Sequence, residues 1–284
     1  MAKNKSENAD FYPAAMTIAG SDSGGGAGIE ADLRTFNAYG VFGCAAICAI
    51  TSQNPLKVTR IDAMPPEAVE AQIDTVMEQI NIRFAKSGML FSAPIIAALS
   101  RAVARHELSL ICDPVMVSTS GAELLEKDAV RALCDRLLPV AKWITPNLPE
   151  AELILGRKLG DQEKIMQGAI DLNRKFGVSV LLKGGHAAGK DQATDYICRD
   201  GKLYRMSSPL AKVSKITAHG TGCTLSAAIT AGLALEFPWK QALTEAKAFV
   251  YGSLTESVHI GNIVDAMYPP TVDNIKKVFL EEIK

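Results

Sequence analysis

Little in this sequence is extreme, and its shortages already exclude several kinds of protein. Neither charge is in excess: 30 Lys and Arg stand against 31 Asp and Glu, a formal net charge of -1. Nucleic-acid and membrane-surface partners favour a basic excess, so neither is expected. Cysteine is scarce, six in 284 residues, too sparse for a disulfide scaffold and suited to reduced thiols in a cytosol. No two cysteines form a C-x-x-C pair and the four histidines are scattered, which argues against zinc. Long apolar runs are missing as well. The longest uncharged helical stretch, Thr221 to Leu235, falls short of the roughly 18 residues that span a bilayer. The N-terminal MAKNKSENADFYP lacks the apolar core of a signal peptide. The expectation is a cytoplasmic protein with a polar tail over residues 1–13 and a single domain over 14–284, since no repeat or Pro/Ser-rich linker marks a boundary. Hydrophobic residues at 48% and charged residues at 21% are enough for a substantial core.

Apolar strand-like runs alternate with helical patterns. Strands are expected at Ala14 to Ala19, Cys44 to Ile50, Phe84 to Lys86, Leu108 to Cys112, Lys142 to Thr145 and Val178 to Leu182. Helices are expected at Ala31 to Tyr39, Pro66 to Ile80, Ala93 to Arg105, Asp128 to Leu138, Glu150 to Leu155, Gln162 to Phe176, Thr221 to Glu236 and onward from Pro238. This alternation predicts an α/β protein, a mostly parallel central sheet with helices on both faces. Thr194 to Cys198 and Leu203 to Met206 flank Asp200 and Gly201, the pattern of a β-hairpin forming an antiparallel edge.

In open parallel sheets ligands bind beyond the carboxyl ends of the strands. The residues expected there are Gly20 and the glycine-rich loop to Gly28, Gln53, the Ser87-Gly88-Met89 turn, Asp113, Asn147 and Lys183. The Gly20 loop opens a helix, so its backbone N–H groups could cradle an anion. It lacks G-x-G-x-x-G spacing, and the second strand ends in Thr51-Ser52-Gln53-Asn54 with no ribose-binding carboxylate, against a dinucleotide site. Gly184 to Lys190 has Walker A spacing, but Asp191 follows where Ser or Thr is needed, so it reads as a mobile polar loop. His219-Gly220-Thr221-Gly222-Cys223-Thr224 leads into a helix, a second anion site. Its position there lowers the expected pKa of Cys223; the alternative is a small residue packing the first turn. Cys44, Cys48, Cys112, Cys134 and Cys198 read as core fillers. Asp113 and Glu150 are candidate magnesium carboxylates, although Asn147 and Glu150 also read as a capping box. Lys183 at a buried strand end needs an anionic partner, a nucleotide phosphate or a structural carboxylate.

Several segments together resemble the hydroxymethylpyrimidine/phosphomethylpyrimidine kinases, a branch of the ribokinase-like superfamily. They are Thr17 to Asp32, Thr51 to Asn54, Ser87 to Leu90, Asp113 to Met116, Ile144 to Ala151, Leu182 to His186 and His219 to Thr224. The match runs in order from about residue 14 to 260. The resemblance implies a three-layer ribokinase-like sandwich and a cytoplasmic homodimer. It also implies ATP-dependent phosphorylation of 4-amino-5-hydroxymethyl-2-methylpyrimidine to its monophosphate and then its diphosphate, with Mg2+, in thiamine biosynthesis. It places Gly20, Asp32, Gln53, Met89 and Val115 around the pyrimidine, Gly220, Gly222 and Cys223 at the reacting oxygen and γ-phosphate, and Lys183, Asn147 and Thr221 on the nucleotide. Asp113 and Glu150 would organise the metal. Cys223 stands where most ribokinase relatives have an Asp base. The competing readings are a pyridoxine/pyridoxal kinase of the same architecture and a non-catalytic sensor that kept the fold.

Overall fold

A strand buried on both faces must be apolar at consecutive positions, and the central strands are. Leu110, Cys112, Val180 and Leu182 join one buried cluster, while the intervening Ile111 and Leu181 join another. The computed structural model describes residues 12–117, 124–126, 128–185, 191–214, 216–262 and 264–283. In chain order the elements are β1 (Ala14–Asp22), α1 (Gly28–Tyr39), β2 (Phe42–Asn54), β3 (Lys57–Ala63), α2 (Pro66–Met77), β4 (Phe84–Ser87), α3 (Ala93–Arg105) and β5 (Ser109–Cys112). Then come α4 (Ala129–Ala132), β6 (Trp143–Ile144), α5 (Leu148–Leu155), α6 (Gln162–Phe176), β7 (Ser179–Lys183), β8 (Gln192–Arg199) and β9 (Lys202–Pro209). Last are α7 (Thr221–Ala234), α8 (Trp239–Thr255), the small pair β10 (Val258–His259) and β11 (Asp265–Ala266), and β12 (Phe279–Ile283).

The large sheet has the order β12-β9-β8-β7-β6-β5-β4-β1-β2-β3. Its centre, β2-β1-β4-β5-β6-β7, is parallel. Helices α2 to α6 bury Val69, Leu99, Ala129, Ile154 and Leu172 against one face. On the other, α7 and α8 bury Ile229 and Leu243, and Phe36 of α1 packs on Ala227 and Ala231 of α7. This is the expected α/β three-layer sandwich. Among the described residues no helix is long and apolar enough to cross a membrane.

The differences lie at strand ends and edges. The expected hairpin is present as β8 and β9, with β8 antiparallel to β7, but β12 pairs outside it, so it is not the edge. The opposite edge is β3, antiparallel to β2. Both edge strands are largely exposed and so carry no clear apolar period. β1 and β2 also run further than expected, each through a register shift, at Ala19/Gly20 and Ser52/Gln53. Gly20 and Gln53 are therefore strand residues; bulges of this kind re-aim side chains beside functional sites. The helix expected over Asp128 to Leu138 is α-helical only through α4, then makes a π-turn (Leu133–Leu137) and a 3-10 turn (Leu138–Val140), where Pro139 has no N–H to donate. Of the mobile loop expected after Gly184, His186 and residues 187–190 lie outside the described residues, and Gln192 and Ala193 already belong to β8.

Candidate active site

The N-terminus of α7 is built by contact between two glycine-rich segments. Gly220 caps the helix at φ 85°, and a Cβ there would lie 1.9 Å from the Gly26 carbonyl oxygen. Only glycine adopts that conformation freely and only glycine fits. Two residues on, a Cβ at Gly222 would sit 3.2 Å from both Asp113 Oδ2 and Lys183 Nζ. These groups arrive from the carboxyl ends of β5 and β7, as the topology requires. Lys183 Nζ donates to Asp113 Oδ1 at 2.8 Å, and the Thr145 hydroxyl donates to the same oxygen at 3.2 Å. Lys183 thus has the carboxylate partner that was the alternative to a phosphate, while remaining beside the helix end. Burial works against its charge, but Asp113 and Glu150 outweigh that and raise its pKa.

Asn147 and Glu150 form the capping box of α5. Glu150 N–H donates to Asn147 Oδ1 at 2.9 Å, and Asn147 N–H donates to Glu150 Oε2 at 2.8 Å. Thr221 donates its hydroxyl back to the Ala218 carbonyl at 2.6 Å, within its own turn. No cluster of three or more His, Cys, Asp or Glu suited to a metal occurs among the described residues. Two carboxylates, one of them already paired, suit only a largely hydrated ion carried by phosphates.

Burial pushes the Glu150 carboxyl up to about 7, Lys183 opposing and Asp113 adding to the rise. Its ordinary value is 4.5. Between those values the folded chain keeps a proton that the unfolded chain has lost, so stability falls as pH rises across that window and stays reduced above it. Glu150→Gln keeps an acceptor for the Asn147 N–H and cannot ionise. The variant should be more stable than the parent by about 1–3 kcal/mol at pH 8 and equal to it near pH 4.5, read from denaturant melts without substrate. A pH-independent difference would contradict this reading.

Cys223 reverses one expectation. The helix N-terminus was expected to lower its pKa; instead burial pushes the thiol up to about 11. Lys86 opposes the shift, Asp32 and Asp113 reinforce it, and a hydrogen bond from Gly28 N–H opposes it. Burial is the largest influence, so the thiol, although half-buried by its surface, is held toward its neutral form in the substrate-free protein. Cys44, Cys48, Cys112 and Cys198 are buried and Cys134 is half-buried, consistent with packing roles.

The expected pyrimidine-side residues divide into an apolar group and a polar one. Met89 packs with Ala49 and Leu124, and Val115 borders the same cluster. A Cβ on Gly20 would approach Met89 Sδ at 3.1 Å, so Gly20, Met89 and Val115 lie together in the fold. Asp32 is neither a solvated helix-face carboxylate nor open to the pocket. It is fully buried, with Oδ2 accepting from Lys86 Nζ at 2.7 Å and from the Thr17 hydroxyl at 2.6 Å, while Oδ1 has no partner. Burial opposes the Lys86 charge, but Asp32 first, then Cys223 and Asp113, hold its pKa above the usual lysine range. Lys86 received no role from the sequence, although a lysine inside a short apolar central strand signals a buried counter-ion.

The loop between β1 and α1 carries a second reversal. Its N–H groups do not wait for a ligand anion: Gly24 N–H donates to Asp22 Oδ1 at 2.8 Å and Ala27 N–H to Asp22 Oδ2 at 2.9 Å. The protein's own carboxylate fills that part of the cradle. His219 Nε2 lies 2.9 Å from Asp22 Oδ2 and 3.2 Å from Gln53 Nε2. Asp22 and His219 are thus placed among the expected residues although the sequence gave them no role. Although burial alone would raise the Asp22 pKa, His219 and the loop N–H groups bring it below its ordinary value.

The three-layer α/β architecture, in which a helix N-terminus, a lysine and a carboxylate meet at the carboxyl ends of parallel strands, is that of the ribokinase-like proteins. The comparisons with known proteins make the assignment narrower. A family model described as "Phosphomethylpyrimidine kinase" matches residues 22–267. A hydroxymethylpyrimidine/phosphomethylpyrimidine kinase of Rhizobium meliloti is 45% identical over 242 residues, covering 85% of this chain and 90% of that one. Its counterpart in Haemophilus influenzae is 42% identical over 250 residues, covering 87% and 92%. Among solved structures, Staphylococcus aureus pyridoxal kinase in complex with AMP-PCP and pyridoxal superposes with a TM-score of 0.85 at 30% identity, over 96% of this chain and 100% of that one. The chain belongs to the phosphomethylpyrimidine kinase family.

Proposed function

We propose that this protein transfers the γ-phosphoryl group of ATP to the hydroxymethyl oxygen of 4-amino-5-hydroxymethyl-2-methylpyrimidine, and then phosphorylates the monophosphate to the diphosphate, in thiamine biosynthesis. The observation that carries this is the meeting of Lys183 Nζ and Asp113 Oδ2 on Gly222 at the start of α7. Phosphoryl transfer proceeds through a loose transition state, so positioning and charge neutralisation supply most of the rate. The N–H groups at Gly222 and Cys223 and the helix dipole would receive the γ-phosphate. Lys183 would neutralise nucleotide charge, with Asn147 and Thr221 at its border. Asp113, with Glu150 behind it, would hold the waters of a Mg2+ whose contribution is charge neutralisation on the phosphates. Gly20, Met89 and Val115 would form the wall against the ring, with Gln53 at its polar edge. With Cys223 held toward its neutral form, the hydroxyl proton would pass to a phosphoryl oxygen and on to water as the new P–O bond forms and the bond from the γ-phosphorus to ADP breaks. A cytoplasmic homodimer fits the family.

A second reading rests on the S. aureus pyridoxal kinase likeness, because pyridoxal also bears a hydroxymethyl group. ADP release with ATP and Mg2+ should show turnover of the pyrimidine and of its monophosphate, with pyridoxal, pyridoxine and ribose at least about tenfold poorer in kcat/KM. Turnover of pyridoxal alone would overturn the thiamine assignment.

A further inference from the structure

One ring nitrogen, His219 Nε2, faces two partners that make opposite demands. Asp22 Oδ2 lies 2.9 Å away, and Asp22 also accepts from Gly24 N–H at 2.8 Å and Ala27 N–H at 2.9 Å. A carboxylate receiving those bonds is ionised and can only accept. Nε2 must therefore carry a proton, whether the ring is neutral or charged. Gln53 places an amide terminus 3.2 Å from the same nitrogen. With a proton on Nε2, that terminus must be the carboxamide oxygen, because an NH2 group would set donor against donor. Amide orientation is decided by the hydrogen-bond network, and here the network requires the oxygen toward His219 and the NH2 group away from it.

The arrangement is held rigidly. His219 is 7% exposed, and a Cβ on Gly26 would come within 2.7 Å of its Cδ2. The next residue, Gly220, packs directly on the Gly26 carbonyl. The imidazole therefore cannot swing without separating the two loops. Gln53 is also fixed through its backbone, its N–H donating to the Ser23 hydroxyl at 2.9 Å and its carbonyl accepting from that hydroxyl at 3.0 Å.

We propose that Asp22 and His219 are positioning residues that set the Gln53 carboxamide so that it presents a donor, its NH2 group, to an acceptor nitrogen of the substrate ring. This rests on the reading of Gln53 as a ring-binding residue given above. The two loops then do more than shape the phosphate site, because the histidine preceding Gly220 decides which hydrogen-bond pattern the pocket offers a heterocycle.

The test combines spectroscopy and kinetics. In substrate-free protein, 15N spectra of the ring nitrogens, assigned by difference from His219→Gln, should show a protonated Nε2; an unprotonated one overturns the proposal. His219→Leu, which cannot donate, should raise KM for the pyrimidine about 5- to 50-fold, with a smaller change in kcat. His219→Gln, whose amide can donate to both neighbours, should recover most of that loss. The double variant His219→Leu/Gln53→Ala should be no worse in KM than Gln53→Ala alone. Of the two ring analogues with one nitrogen replaced by C–H, wild type should discriminate strongly against one, and His219→Leu should not. An unchanged KM in His219→Leu, additive single effects, or undiminished discrimination by His219→Leu would each overturn the positioning role. If wild type turns over pyridoxal but not the pyrimidine, the functional reading falls, while the nitrogen spectra and the same cycle run with pyridoxal still decide this one.

Discussion

Gly220→Ala should cut kcat/KM at least about 100-fold in whatever fraction folds and lower the melting temperature by several degrees. Two costs add at this position. A left-handed conformation costs a non-glycine residue about 1–2 kcal/mol, and φ here is 85°. The larger cost is steric, since the new Cβ would lie 1.9 Å from Gly26 O and 2.9 Å from Gly26 C. Both neighbours are backbone, so no side-chain rotation relieves the overlap and the loops must separate. That moves the N-terminus of α7 away from Lys183 and Asp113 and pulls His219 from Asp22. Gly201→Ala is the matched control: its φ is 73°, but nothing lies within 4 Å of the added Cβ. It should cost about 1 kcal/mol and leave kinetics unchanged. Equal effects at the two sites would mean that backbone conformation alone, and not contact between the loops, sets the cost.

Lys183→Met should reduce kcat by about 10^2–10^3 and destabilise the substrate-free protein by about 3–5 kcal/mol. The activity loss follows from removing a cation that lies 3.2 Å from where a Cβ on Gly222, in the first turn of α7, would be. The stability loss follows from leaving Asp113, 1% exposed, with the Thr145 hydroxyl as its one side-chain donor on Oδ1 among the described residues, and Glu150 nearby without its main opposing charge. Adding Asp113→Asn should restore much of the stability and none of the activity, because it removes the stranded charge without replacing the cation. Lys183→Arg should not rescue turnover: a Cβ built on Gly222 would already lie 3.2 Å from the ammonium, and the larger planar guanidinium does not fit in the same place. Full activity in Lys183→Met would remove this lysine from phosphate neutralisation.

The sequence made the sheet's centre readable because strands buried on both faces are continuously apolar, and the ligand-bearing ends follow from parallel topology. The extent of Gln162 to Phe176 was legible from its helical pattern, and the structure closes it with Asp161 as N-cap and Gly177 as C-cap. The edges were not: Lys57–Ala63 and Phe279–Ile283 are exposed strands whose pairing, not composition, makes them strands. Within the site, the Asn147–Glu150 capping box could be read from spacing alone. The Asp32–Lys86 pair joins residues 54 apart, and Asp22 and His219 are 197 apart, so no local pattern marks either. The raised pKa of Cys223 escaped the sequence for a related reason: a helix N-terminus is visible in sequence, whereas burial is a property of everything packed around the thiol.

The Asp32–Lys86 pair bears on the two-step transfer proposed above. There the first acceptor would be a neutral alcohol, and the second the same ring carrying a doubly charged ester. A bare carboxylate near such a ring would favour the first and repel the second. With the ammonium 2.7 Å away and both groups fully enclosed, the carboxylate presents little net field to whatever lies above it, since a close ion pair's potential falls off much faster than that of a lone charge. In the two-step reaction proposed above, this part of the protein would therefore be indifferent to the change in charge between the two acceptors and would need no rebuilding after the first transfer.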